Sequence, residues 1–256
     1  MDSWNPAQYQ KFKAERTRPF YDLLGFVEPK ANLRILDLGC GTGELTLVLH
    51  HTLKASETQG IDNSAKMLGE SAAFVAPGVV FQHMAIETLT EAPQVDLIFS
   101  NAALQWVASH FALFGKLRRR LKSGGQIAVQ MPANHDHLSH TLASEIAQES
   151  PFREALNGYH RLSPVLLPEE YATLLHSLGF QFQRVELRVY GQVMENRDGV
   201  VEWVKGTLLT DYERRLAPEM YTKFLDVYRK RIHSRLENET PYFYPFKRVL
   251  LWGKLP

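Results

Sequence analysis

The sequence feature that most constrains the fold is a short apolar run that leads directly into closely spaced glycines and then into a helical pattern. The run is Arg34 to Leu38, the glycines lie in Gly39-Cys40-Gly41-Thr42-Gly43, and Glu44 to Leu53 repeats apolar residues with a helical period. This order predicts a strand, a tight turn and a helix. Glycines at the carboxyl end of a strand let the backbone approach a ligand closely, so the segment also predicts a binding site at a sheet edge.

Further apolar runs alternate with helical segments along the chain. Strands are predicted to end near Asp62 and to cover residues 79–82, 95–99 and 126–131, followed after Pro132 by strands at 180–189 and 246–252. Alternating strands and helices imply right-handed crossovers, and hence an α/β fold with a doubly wound, mostly parallel sheet. Since no Gly/Ser/Pro-rich linker divides the chain, a single domain is predicted.

Composition excludes several classes of protein. The 256 residues include 29 Lys plus Arg and 28 Asp plus Glu, so the basic excess expected of a nucleic-acid binder is absent. The single cysteine, Cys40, allows neither an internal disulfide nor a Cys-Cys zinc pattern, which favours a cytoplasmic location and no metal site. No secretion signal and no apolar run long enough for a membrane helix is recognised in the sequence.

An acidic residue accompanies the glycine turn. Asp62 ends the predicted second strand, where a carboxylate can accept hydrogen bonds from both hydroxyls of a ribose. The spacing is G-x-G-x-G, which differs from the dinucleotide pattern G-x-G-x-x-G, and no G-K-[ST] follows. The motif therefore favours a small nucleoside cofactor over a nicotinamide dinucleotide or a phosphate cradle.

These motifs resemble those of a known family. The run Asp37 to Gly43 is similar to the first motif of class I S-adenosylmethionine-dependent methyltransferases, and Gly60 to Ser64 with Met67-Leu68 is similar to their second motif. Within that superfamily the chain most resembles trans-aconitate 2-methyltransferases over residues 1 to about 135. The segments that carry this likeness are Trp4-Asn5-Pro6, Ser100 to Trp106 and Val129 to Pro132.

The resemblance implies a Rossmann-like seven-stranded sheet, ordered three-two-one-four-five-seven-six, with an antiparallel last strand and a helical lid. It places an N-terminal helix at residues 1–25 over the cofactor site and the cofactor-binding core at 26–132. Residues 133–167 and 195–241 interrupt the later half of the chain and are predicted to be the lid insertions of a single domain, 1–256.

The resemblance also implies the residues that hold S-adenosylmethionine. Asp37 and the backbone of Gly39, Cys40 and Gly41 would hold its methionine part, and Asp62 its ribose. The other implied cofactor contacts are Arg18 for the methionine carboxylate, Asn63 and Met67 in the second motif, Met84, Ala85 and Ile86 around the adenine, and Asn101 and Ala102 beside the sulfonium. Considered alone, the two methionines also suit a core, and Arg18 also suits a solvated helix face. Many relatives carry an acidic residue where Ala85 stands, which makes Glu87 a substitute candidate for the adenine amino group.

The sequence shows no obvious catalytic base or metal cluster, and this is informative about the acceptor. A carboxylate is already ionised at neutral pH, so methylating it requires no general base and positioning supplies most of the catalysis. A polyanionic acceptor requires cations and hydroxyl donors instead. Candidates for acceptor contacts are Tyr9, Trp106, His135, Lys205 and Tyr244, within a wider set of His137, His160, Arg161, Tyr242, Lys247 and Arg248.

Several functions remain open from the sequence. The first is a carboxyl O-methyltransferase that acts on trans-aconitate or a similar small polycarboxylate. The second is methylation of a malonyl group on an acyl carrier protein, and the third is a nicotinamide-dependent oxidoreductase, which the glycine spacing opposes. A non-catalytic module that binds the cofactor and regulates a partner is the fourth.

Overall fold

The fold is built on one central sheet. The computed structural model describes residues 13–256, with side chains from residue 17 onward. Within that range the strands are β1 (Arg34–Leu38), β2 (Glu57–Asp62), β3 (Val79–His83), β4 (Val95–Asn101), β5 (Leu121–Pro132), β6 (Phe182–Met194) and β7 (Tyr242–Lys254). They form a seven-stranded sheet in the order β3-β2-β1-β4-β5-β7-β6.

The strand directions confirm the predicted fold class. β1 pairs in parallel with β2 and β4, and β3 and β5 extend the sheet in parallel on either side. β7 is antiparallel to both of its neighbours, β5 and β6. The sheet is therefore the Rossmann-like, mostly parallel, doubly wound sheet with an antiparallel last strand.

Helices cover both faces of the sheet. In chain order the described helices are α1 (Lys13–Leu24), α2 (Glu44–Leu53), α3 (Ala65–Ser71), α4 (His110–Arg119), α5 (Leu138–Ala147), α6 (Phe152–Ala155), α7 (Pro168–Ser177), α8 (Asp198–Lys205), α9 (Thr210–Arg215) and α10 (Pro218–Arg235). On one face, Phe20 and Leu23 of α1 are buried with Phe99 of β4. On the other face, Phe114 of α4 and Tyr171 of α7 are buried in a second apolar core.

A third apolar core lies outside the sheet proper and forms what we call the helical layer, which consists of α5, α6, α8, α9 and α10. Trp203, Tyr212 and Phe224 are buried at its centre. β7 supplies the base of this layer because its pairing with β5 stops at Arg248, while residues 242–247 pair with β6 alone. The helical layer therefore stands above the carboxyl edge of the parallel strands, the edge that carries the glycine turn.

The boundaries of the last strands differ from those predicted. β5 begins at Leu121 and continues through Gly124 and Gly125, where its pairing with β4 shifts register. β7 begins at Tyr242 and passes through Pro245, although prolines normally end a strand. Past the end of β5 this strand has only one neighbour, so a residue without an N–H costs little there. None of the described helices combines the length and hydrophobicity needed to cross a lipid bilayer.

Candidate active site

A cavity of about 1390 Å³ lies between the carboxyl edge of the sheet and the helical layer. We call the lining residues between 17 and 107 the sheet wall and those between 132 and 248 the helical wall. The sheet wall comes from the turns that follow β1, β2 and β4 and from α1. The helical wall comes mainly from α5, α9, the loop around residue 161 and β7.

The glycine turn after β1 forms the floor of the sheet wall. The backbone N–H groups of Gly39 and Cys40 both donate to the carbonyl of Ile61, at 2.8 and 3.0 Å. Gly39 has a φ of +73°, and a Cβ at this position would lie 2.1 Å from the Cβ of Ala103. Only glycine therefore fits between the strand end and the turn that follows β4, which explains the small residue that sequence analysis identified there.

Asp37 lies buried at the end of β1, beneath this turn. Its side chain accepts a hydrogen bond of 2.6 Å from Thr46 of α2. Burial raises the pKa of Asp37 to about 7; the Thr46 hydrogen bond opposes this increase and the charge of Asp62 adds to it. Among the described residues, no Lys or Arg contributes to the shift of this pKa. The site thus holds a carboxyl group that a positively charged ligand would favour in its ionised form.

Asp62 joins the first two strand ends. One carboxylate oxygen accepts from the N–H of Gly41 at 2.9 Å and the other from the N–H of Ser64 at 2.8 Å. Each carboxylate oxygen can accept a second hydrogen bond, so the pair can still receive two donors from a ligand. The same carboxylate orders the glycine turn and the start of α3.

Burial and the carboxylates of Asp37 and Asp62 raise the pKa of Cys40 well above that of an ordinary thiol. Its thiol therefore stays protonated at neutral pH and is unsuited to act as a nucleophile.

A relay of three side chains orients Asn101 at the end of β4. Arg248 can only donate, and it donates to the side-chain oxygen of Gln130 at 3.1 Å. The amide nitrogen of Gln130 then donates to the side-chain oxygen of Asn101 at 2.7 Å. Because its oxygen is engaged, Asn101 is left with its N–H donors for the cavity that it lines.

The helical wall carries a cluster of arginines around one buried carboxylate, Asp211. Arg161 lies 3.5 Å from Asp211, and its guanidinium stacks 4.1 Å from the ring centroid of Trp106. Arg214 and Arg215 donate to the same carboxylate at 2.6 and 3.3 Å. Three cations around one anion leave this part of the wall with an excess of positive charge.

The two walls of the cavity differ in charge. The acidic residues of the sheet wall are Asp37, Glu44, Asp62 and Glu87, and among its described lining residues there is no Lys or Arg. The helical wall is lined by Arg161, Arg214 and Arg248 against two acids, Asp211 and Glu145. Glu145 is itself paired with Arg235, which lies outside the lining, at 2.9 Å. A cation is therefore favoured on the sheet wall and an anion on the helical wall.

Comparison with known proteins assigns this geometry to a family. A model of a methyltransferase domain matches residues 29–176. A Deinococcus radiodurans protein named trans-aconitate 2-methyltransferase is 40% identical over 260 residues, which is 99% of each chain. An Acidovorax ebreus protein of the same name is 40% identical over 235 residues, 91% of this chain and 90% of its own. The chain belongs to the S-adenosylmethionine-dependent methyltransferases.

A solved structure shares the fold of this methyltransferase. The YcgJ protein of Bacillus subtilis superposes with a TM-score of 0.60 at 16% sequence identity, over 92% of this chain and 98% of its own.

The hydrogen-bond acceptors of the sheet wall fit S-adenosylmethionine, which carries an ammonium, a sulfonium and a ribose. Asp37 and the carbonyl of Gly39, which accepts no hydrogen bond from the described residues, are acceptors suited to the ammonium group. The two oxygens of Asp62 suit the ribose hydroxyls, and four carboxylates with no lysine or arginine suit the net positive charge of the cofactor.

The structure brings most of the expected cofactor residues together. Those that line the cavity are Asp37, Gly39, Cys40, Gly41, Asp62, Asn63, Met67, Ile86, Asn101 and Ala102. Arg18, Met84 and Ala85 lie outside the lining: the guanidinium of Arg18 is 5.7 Å from the ring centroid of Tyr190, and Met84 packs against the core. Glu87 lines the cavity where Ala85 does not, which agrees with its role as a substitute candidate.

The expected acceptor residues are more scattered. Trp106 and His135 line the cavity, and buried side-chain atoms of Gln105 (Oε1) and His135 (Nδ1) have no partner among the described residues. Lys205 lies outside the lining, 3.4 Å from Glu202 on the same helix, and Tyr244 is fully buried behind the wall. Tyr9 lies outside the described residues. Of the wider set, His160, Arg161 and Arg248 line the cavity.

Sequence reasoning missed several polar residues of the helical wall. Thr207, Thr210, Asp211 and Arg214 line the cavity from the start of α9 and the loop before it, and His140 lines it from α5. The sequence gives one usable signal, because Asp211 precedes Arg214 and Arg215 at helical spacing. The remaining residues come together only through the packing of the helical layer.

Proposed function

We propose that this methyltransferase esterifies a carboxylate of a small polycarboxylic acid, with trans-aconitate as the first candidate. The observation that carries the proposal is the difference in charge between the two walls of the cavity. An acidic sheet wall suits a cationic cofactor, and a helical wall with three arginines suits an anionic acceptor. Two relatives that are 40% identical to this chain over 91% or more of its length carry the name trans-aconitate 2-methyltransferase, which supports the same acceptor.

The residues of this chain would act by holding and orienting the reactants. When bound, S-adenosylmethionine supplies a methyl group that the positive charge on its sulfur activates. Asp37 and Asp62 hold the cationic and ribose parts, and Arg161 holds a carboxylate of the acceptor on the opposite wall. Asn101, with its amide N–H turned to the cavity by Gln130, is placed to donate to the acceptor or the cofactor. No proton has to be removed from an ionised carboxylate, so this arrangement requires no general base.

We also propose that the helical layer serves as a lid on a single domain, with its parts at residues 133–167 and 195–241. The supporting observation is that the helical layer has its own apolar core around Trp203 and reaches the sheet through β7 and its extension. A layer with a separate core can shift against the sheet without disturbing either core. Hydrogen exchange at α9 should slow when cofactor and acceptor are both present.

Transfer of a labelled methyl group tests the proposed reaction. The enzyme is incubated with methyl-labelled S-adenosylmethionine and, separately, trans-aconitate, citrate, a malonyl acyl carrier protein and small amines. Label in an alkali-labile ester of trans-aconitate is expected, and Asp62→Ala should transfer less label at a low concentration of S-adenosylmethionine. Label in the malonyl ester would support the carrier-protein alternative, whereas alkali-stable label on an amine alone would exclude carboxylate methylation.

A further inference from the structure

A chain of buried polar groups runs from the backbone of β7 to His140 on the helical wall. Its members are the N–H of Lys247 and the side chains of Asn134, Tyr244, Ser139 and His140. Asn134, Tyr244 and Ser139 are almost completely buried, at 1%, 0% and 0% exposure. Because buried hydrogen-bonding groups cannot exchange partners with water, each proton in this chain has a defined position.

The direction of the first two hydrogen bonds follows from the backbone. The N–H of Lys247 can only donate, so the atom of Asn134 that faces it at 3.1 Å is the side-chain oxygen. The amide nitrogen of Asn134 then donates to the hydroxyl of Tyr244 at 3.1 Å. That hydroxyl is 2.8 Å from the hydroxyl of Ser139, the one acceptor that the described residues offer to the Tyr244 proton, and we therefore assign this proton to the bond with Ser139.

Ser139 therefore has to place its own proton on a histidine. Its oxygen lies 3.0 Å from Nδ1 of His137 and 3.0 Å from Nδ1 of His140. The lone pair of His137 Nδ1 already accepts the backbone N–H of Ser139, at 3.1 Å, as the N-terminal cap of α5. With that lone pair engaged, the hydroxyl proton is assigned to Nδ1 of His140, which places the ring proton of neutral His140 on Nε2.

His140 is kept neutral by its surroundings. Burial lowers the pKa of His140 to about 3, and the charges of His137, Arg161 and His135 act in the same direction. The charge of Asp136 opposes this decrease. The ring lines the cavity, and its Nε2 has no hydrogen-bond partner among the described residues. At neutral pH it presents an uncharged N–H, and it has no free lone pair with which to act as a base.

We propose that Nε2–H of His140 donates a hydrogen bond to a carboxylate of the acceptor, and that Asn134, Tyr244 and Ser139 are positioning residues that hold this tautomer. The identity of the acceptor as a carboxylate rests on the proposed function; the tautomer does not. Arg161, on the same wall, supplies positive charge. His140 supplies a hydrogen-bond donor whose direction is set by the chain of buried polar groups from β7. Together they distinguish a carboxylate from a neutral group of similar shape.

The tautomer is tested without any enzymatic reaction. A long-range ¹H–¹⁵N correlation spectrum of the intact protein identifies which ring nitrogen of His140 carries the proton, with the signals assigned by their loss in His140→Gln. The Nε2–H form alone is expected in the wild type at pH 7, and a mixture of tautomers in Tyr244→Phe, which removes one hydroxyl from the relay. A proton on Nδ1, or a charged ring at pH 7, would overturn the relay.

The acceptor contact is tested by comparing His140→Phe with His140→Gln. Phenylalanine keeps the shape but removes the donor, so the KM for trans-aconitate should rise about tenfold or more while the affinity for S-adenosylmethionine is retained. Glutamine returns an N–H near the position of Nε2 and should restore most of the loss. The control is His176→Gln, at an exposed residue of α7 outside the cavity.

An unchanged KM in His140→Phe, or equal damage in both variants with cofactor affinity retained, would refute the contact. The wild type decides the proposed function separately: if it methylates no carboxylate in the panel, that function fails, whereas the spectrum still decides the tautomer.

Discussion

Replacing Asp37 by asparagine should stabilise the ligand-free protein at pH 8 while it weakens cofactor binding. Burial raises the pKa of Asp37 from 3.8 to about 7. In the unfolded chain this carboxyl ionises near pH 4, whereas in the folded protein it keeps its proton up to pH 7. Between these values the folded state binds the extra proton, so the wild type loses stability as pH rises from about 4 to about 7.

The expected magnitude follows from the same pKa values. A displacement from 3.8 to about 7 corresponds to a cost of about 4 kcal/mol, present in full above pH 7. Asparagine is nearly isosteric, has no such cost and can still accept the hydrogen bond from Thr46. We expect Asp37→Asn to gain about 2 to 4 kcal/mol in free energy of unfolding at pH 8, a rise of several degrees in Tm, and less than about half of that gain at pH 5.

Denaturant unfolding of the ligand-free protein at pH 5 and pH 8 measures this difference, and calorimetry follows the loss of S-adenosylmethionine affinity. Asp96 provides a control of opposite sign. Burial would raise its pKa, but hydrogen bonds from Lys122, the backbone of Arg34 and Lys30 lower the pKa of Asp96 to about 2. Asp96→Asn should therefore destabilise the protein at both pH values. The reasoning would be refuted if Asp37→Asn gave no gain at pH 8, or the same gain at pH 5.

Three further substitutions test the two walls. Asp62→Asn keeps one carbonyl oxygen and should weaken S-adenosylmethionine binding by roughly 1 to 3 kcal/mol, measured by calorimetry; an unchanged Kd would remove Asp62 from the cofactor site. Gly39→Ala should lower the free energy of unfolding by at least about 2 kcal/mol, because alanine disfavours this φ and its Cβ would clash with Ala103. Adding Ala103→Gly should restore part of that stability. An equal loss of stability in the single and double variants would show that the clash is unimportant. Arg161→Lys keeps the positive charge but removes the planar guanidinium, and it should raise the KM for the acceptor roughly tenfold with cofactor affinity unchanged. A change in cofactor affinity alone would show that Arg161 contacts the cofactor and not the acceptor.

Much of the sheet could be predicted because its signals are local. The first strand-turn-helix unit contains the apolar run before Gly39, and the second contains the carboxylate of Asp62. Parallel pairing of their strands brings both features to the same edge of the sheet. The strand order came from the resemblance of these motifs to a family. Strand limits near Pro245 were missed because the cost of a proline depends on whether a second neighbour is present, which the sequence does not show.

The acceptor side could be predicted less well because it depends on which face of an element points inward. Tyr242, Tyr244 and Phe246 alternate with exposed or half-buried residues, so Tyr244 faces the core of the helical layer. That alternation was visible in the sequence, but the core it faces is made by helices far along the chain. Lys205 has Glu202 three residues before it, the spacing of an ion pair on one helix face, and this local partner explains its position outside the cavity lining.

The charge of the whole molecule and the charge of the cavity lead to different expectations, and the cavity decides the chemistry. A formal net charge of +1 gives the protein no general attraction for anions. The arginines around Asp211 provide that attraction locally, and they do so on the wall opposite the carboxylates that suit a cation. Methylating a hydroxyl or an amine requires a proton to be removed near neutral pH. In the proposed tautomer His140 cannot remove that proton, because the ring nitrogen that faces the cavity is a donor. The same proton position that disfavours a base is the one that binds a carboxylate, so a single hydrogen-bond direction links acceptor choice to the absence of acid–base catalysis.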